Sequence, residues 1–125
     1  MSMDKLIQDV KALVADEYHR ASMKFGETNN SDHESYAVLL EEMEEAKVEV
    51  ADVEHQLQKF WEMTKSNEDD LSKYSRLLEM ERRAVLAACE LIQVAAMAAK
   101  ASATVSCRNI AVDLTQEGDS TWPPF

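Results

Sequence analysis

Apolar residues recur at intervals of three and four along most of the chain, the spacing of one helix face. Between residues 27 and 117 there is neither glycine nor proline, so cap signals rather than breakers must mark the helix ends. The first helix is predicted from about Asp4 to Lys24, with Leu6, Ile7, Val10, Leu13, Val14 and Ala21 as its stripe. Gly26 ends it, and the polar loop ETNNSD leads to Ser31 or Asp32 as the N-cap of the second helix. Glu34 in that first turn is favourable against the helix dipole.

The second helix carries the most regular pattern. Tyr36, Leu39, Met43, Ala46, Val50, Val53, Leu57, Phe60 and Thr64 alternate by three and four, a 3.5-residue repeat over four heptads that marks near-parallel helix packing. Tyr36, Met43 and Trp61 read as core. KSNEDD follows, with Ser66 or Asn67 as a cap for a third helical stretch that opens with Leu71, Tyr74, Leu77 and Leu78. It continues to about Val105, either as one rod or as two helices with a bend near 80–83. Residues 1–105 thus form one all-α domain, and 106–125 a tail without helical period, whose STWPPF end is either a frayed terminus or a docking peptide.

A helix of about 30 residues spans about 45 Å, longer than a compact domain of this size needs. Three such rods cannot bury all their apolar faces on one another. The expected fold class is therefore an all-α long-helix bundle completed by homo-oligomerisation, as a dimer or tetramer and most simply a two-fold dimer.

Composition narrows the partners. The 125 residues carry a net charge of −11, which argues against a nucleic-acid backbone or an anionic membrane. An anionic substrate would need a local device such as a bound cation. The N-terminal MSMDKLIQDV has acidic residues where a signal peptide needs an apolar core. The run 84–105 is about as long as a membrane span but is interrupted by Glu90, Gln93 and Lys100. Cys89 reads as a small buried hydrophobe and Cys107 as a free thiol near a helix end, so a reducing cytoplasm is the expected location.

The stretch AVLAACELIQVAAMAA, residues 84–99, is apolar except at Glu90 and Gln93, which share a helix face. A carboxylate is rarely buried without a partner, because desolvating its charge is costly. The second helix holds the densest acidic cluster, LLEEMEEAKVEVAD, in which Glu42, Glu45 and Glu49 line one shoulder of the stripe while Glu41 and Glu44 point to solvent. Two antiparallel helices can therefore aim Glu42, Glu45, Glu90 and Gln93 into one groove. Oxygen ligands so placed suit a hard divalent cation, Mg²⁺ above all, which keeps waters for a phosphate to displace. His19, His33 and His55 are not spaced as ligands.

At these residues the chain resembles the MazG-like all-α nucleoside triphosphate pyrophosphohydrolases. Their helical signature is E-x-x-E, then E-x-x-D on a later helix; here EEMEE supplies Glu42-x-x-Glu45 and ELIQ supplies Glu90-x-x-Gln93. The flanks KFG, HESYAVLLEEMEEA and ELIQVAAMAAKA resemble small phage and prophage members, and the similarity covers about residues 10–102. The resemblance implies Mg²⁺ (or Mn²⁺ in its place) held by Glu42, Glu45 and Glu90, and hydrolysis of a nucleotide to monophosphate and pyrophosphate. Glu41 or Glu49 is then the candidate proton acceptor, and Arg82, Arg83, Lys100 and Arg108 are candidates to steady phosphate oxygens. Gln93 departs from the family's last carboxylate: an amide oxygen coordinates but brings no charge.

Two other readings stand beside this one. The first is a catalytically weak nucleotide-binding or protein-interaction module on the same fold, motivated by Gln93. The second is a structural bundle in which Glu90 simply pairs with Arg82 or Lys100.

Overall fold

Short polar side chains start every helix. Ser2, Ser31 and Asp69 each accept a hydrogen bond from a backbone N–H two or three residues ahead, satisfying donors that the first helical turn leaves free. The computed structural model describes residues 2–108 and contains α1 (Met3–Phe25), α2 (Asp32–Lys65) and α3 (Asp70–Ser106). Gly26 stops α1 at a φ of +92°, a conformation that side-chain-bearing residues rarely adopt. The cap of α3 is Asp69, not Ser66 or Asn67. Ser66 instead closes α2, its N–H and Oγ both donating to Glu62 O, and Asn67 takes the left-handed turn at φ 55°, which asparagine tolerates.

Of the two alternatives for the third stretch, the single rod is the one formed. Glu79 is paired with Arg82 and Arg83 across residues 79–83, so side-chain pairs one turn apart brace the helix there. The tail beyond 108, with STWPPF, lies outside the described residues.

α3 packs antiparallel along α2 and also carries α1; α1 lies against α3 rather than against α2. Three cross-contacts set the α2–α3 register: Arg76 Nη1 donates to Gln56 Oε1 at 2.7 Å, Arg83 Nη1 to Asp52 Oδ2 at 3.3 Å, and the loop residue Asn29 N–H to Thr104 Oγ1 at 2.8 Å. By length and composition α3 could also cross a membrane.

The buried apolar residues among those described are Ala46, Ala87 and Ala96, and no large side chain is fully buried. Small residues let helices approach closely, but they remove little apolar area from water. The α2 stripe accordingly divides. Ala46 is buried and Leu39, Val53 and Phe60 half-buried, whereas Tyr36, Met43, Val50 and Leu57 are exposed, as is Trp61. Tyr36, Met43 and Trp61 are therefore not core within the chain. A 3.5-residue repeat has two rows, and α3 covers only one of them. It shares its contact instead with the adjacent row Ser35, Glu42, Glu49, Gln56 and Met63, each buried or half-buried. Cys89 is likewise exposed, because it faces the open groove between α1 and α3.

Candidate metal centre

The displacement of α3 towards the acidic row has a chemical result. Glu42 and Glu45 sit one turn apart on α2, and the register fixed by Arg83 and Asp52 brings Glu90 of α3 level with them. One carboxylate oxygen from each of Glu42, Glu45 and Glu90 lies within 4.8 Å of the others, with Glu42 and Glu90 half-buried and Glu45 exposed. Ligand oxygens on one octahedral Mg²⁺ stand about 3–4 Å apart at bond lengths of about 2.1 Å. The donor set and its spacing therefore fit a hard divalent cation after a small closure.

The cluster is electrostatically unbalanced. Burial, followed by the charges of Glu45 and Glu90, holds the Glu42 carboxyl above the usual carboxylate range. Burial also raises Glu90, with further contributions from the charges of Glu45 and Glu49 and from a hydrogen bond with Glu45 that favours its protonated form. No lysine or arginine among the described residues forms an ion pair with any of the three. Among the described residues Glu90 thus pairs with neither Arg82 nor Lys100.

The remaining candidates fall into different environments. Glu41 is exposed, whereas Glu49 is half-buried between the cluster and Arg83. Its Oε2 lies 3.9 Å from Arg83 Nη1, and that oxygen is buried with no hydrogen-bond partner. Arg83 is committed to Asp52 and Glu79, and Arg82 to Glu79, so neither is a free cation for phosphate. Arg108 pairs with Asp32 at 2.5 Å. Lys100 differs: it is only 7% exposed, on the same helix as Glu90, and no acid among the described residues pairs with it.

Gln93 lies beside Glu17 of α1 in one groove, and the Glu17 carboxyl is held below its usual range first by its hydrogen bonds from Arg20 and to a lesser degree by the neighbouring Gln93 amide. Glu17 in turn contributes to the field that raises Glu42. Leu13, Glu17, Arg20, Cys89, Ile92 and Gln93 line a groove of about 340 Å³ between α1 and α3. Glu17 went unmarked in the sequence, although the signal was present. It falls three residues after Val14 and four before Ala21, an acid set into an apolar stripe, as Glu90 is.

Comparison with known proteins yields no match: no protein-family model, no curated protein and no solved structure aligns with this chain. The functional reading rests on the residues and their geometry.

Proposed function

We propose that the protein is a Mg²⁺-dependent nucleotide pyrophosphohydrolase, cleaving a nucleoside triphosphate or related nucleotide to monophosphate and pyrophosphate. The observation that carries this reading is the convergence of Glu42, Glu45 and Glu90 from two helices with no basic side chain paired to them among the described residues. Three carboxylates held at this distance repel one another, and a divalent ion is the partner that relieves the repulsion. Bound there, Mg²⁺ would supply Lewis acidity at a phosphate and lower the pKa of an attacking water.

The chain's own groups have distinct tasks in this scheme. Glu42, Glu45 and Glu90 hold the ion. Glu49, the half-buried carboxylate next to them, is better placed than exposed Glu41 to accept a proton. Lys100 lies ten residues beyond Glu90, about 15 Å along the helix axis, and lysine side chains lean back towards the helix N-terminus. Its ammonium, unpaired among the described residues, is suited to the distal end of a phosphate chain.

The test is incubation with each NTP and dNTP plus Mg²⁺, with pyrophosphate release as the readout. Release that depends on Mg²⁺ and disappears in Glu42→Gln supports the reading; no release above that variant sinks it. One observation favours a second reading, a nucleotide-binding module with little turnover. Gln93 lies beside Glu17 in the α1–α3 groove and adds no charge to the cluster. Calorimetric binding of a nucleotide without product would select it.

A further inference from the structure

Four large apolar residues of α2 stay exposed at strict seven-residue spacing, Tyr36, Met43, Val50 and Leu57. Beside them runs a second exposed row, Leu40, Lys47, Glu54 and Trp61. A row repeating every seven residues matches another helix lying nearly along it. From Tyr36 to Trp61 the face extends about 37 Å, which a loop or a small ligand would not cover.

The two rows are nearly symmetric about Val50. Met43 and Leu57 lie seven residues to either side, and Leu40 and Trp61 ten and eleven. The charged members, Lys47 and Glu54, are three and four residues away and of opposite sign. Laid antiparallel on a second copy of itself, α2 sets Met43 against Leu57, Leu40 against Trp61 and Lys47 against Glu54, each twice. Self-complementarity of this kind is what a two-fold contact requires.

α3 provides an independent check. The 3.3 Å contact between Asp52 and Arg83 puts Val50 level with Val85 on the antiparallel helix. On α3 the exposed leucines Leu77 and Leu91 flank Ala84, also exposed, at seven residues on either side. Helical spacing places them on the same side of the hairpin as Met43 and Val50. An axis located from α2 alone therefore meets the centre of the α3 row to within one residue, and would bring Leu77 onto Leu91 of the partner subunit.

We propose that this α2–α3 face is the two-fold interface of an antiparallel dimer, with its axis passing Val50 and Ala84 and with Lys47 of each copy opposite Glu54 of the other. It stands whether or not the carboxylate cluster is catalytic.

Sedimentation equilibrium of the full chain tests it. The wild-type protein should show twice the chain mass of 14.1 kDa. Lys47→Glu or Glu54→Lys alone should weaken the dimer by about tenfold or more at low salt, and the double exchange should restore it. Both positions are exposed, so circular dichroism should find the helix content of each variant unchanged. Glu44→Lys, exposed on another face, should leave the dimer intact. A wild-type monomer at 100 µM overturns the proposal, as does a dimer indifferent to both single exchanges. Flotation of the monomer with phosphatidylcholine vesicles would instead assign the face to a membrane.

Discussion

Arg83 of α3 stands 3.3 Å from Asp52 of α2, and two turns farther along the same helix Glu90 faces Glu42 and Glu45 with no ion-pair partner among the described residues. One helix pair thus has a cation matched to its acids at one level and none at the next. Removing charge at the unmatched level should therefore stabilise the metal-free protein. Glu90→Gln keeps the shape and relieves repulsion; its melting temperature in EDTA should exceed that of wild type by about 2 °C after allowance for solvent screening. In millimolar Mg²⁺ the order should reverse, because wild type gains binding energy that the variant lacks. Calorimetric scans with and without Mg²⁺ check both.

The pH dependence follows from the same groups. Glu42 and Glu90 have folded-state pKa values above the unfolded ones, so the stability they contribute is fully present below the unfolded value and is lost as pH rises through the raised values. Metal-free protein should gain stability as pH falls from neutrality towards the ordinary carboxylate range. Glu17, Glu79 and Asp69 are shifted down and act oppositely, losing their contribution only below the ordinary carboxylate range. Urea titrations across pH should show the rise, and a Glu42→Gln, Glu90→Gln double variant should flatten it.

Arg83 links Glu79, Asp52 and Glu49. Arg83→Met retains the aliphatic stem but leaves three half-buried carboxylates facing one another. A loss of about 1–2 kcal/mol is expected from urea unfolding at neutral pH. Arg82→Met, whose partner Glu79 keeps Arg83, should lose far less.

Ala46 is 1% exposed at the α2–α3 contact. Ala46→Leu must push the helices apart, at a cost of about 1–3 kcal/mol. Because Glu45 is its neighbour and Glu42 lies one turn away, the same wedge should also reduce the Mg²⁺-dependent rise in melting temperature. A variant that loses stability yet keeps the full Mg²⁺ response would show that the cluster does not depend on close helix approach.

The candidate site was legible because its residues break a local rule. Glu90 stands in an alanine-rich helix, and Glu42 and Glu45 repeat along one shoulder of an apolar stripe. The relation of Glu17 to Gln93 was not legible, because it depends on where α1 lies against α3, and several rotations of α1 would satisfy its stripe.

By itself the sequence determined that the described chain is helical, that Gly26 and a polar segment after Lys65 divide it, and that the second helix repeats every 3.5 residues. These follow from backbone propensity, capping and periodicity, all of which act over a few residues. Only the tertiary structure decided which row of that repeat α3 covers. A rotation of about 100° about the α2 axis separates the row of Met43 and Val50 from that of Glu42 and Glu49. The buried alanines at 46 and 87, with Arg83 bound to Asp52 and Glu79, select the second. That choice draws the carboxylates together on one side of the hairpin and leaves Tyr36, Met43, Val50 and Leu57 exposed on the other.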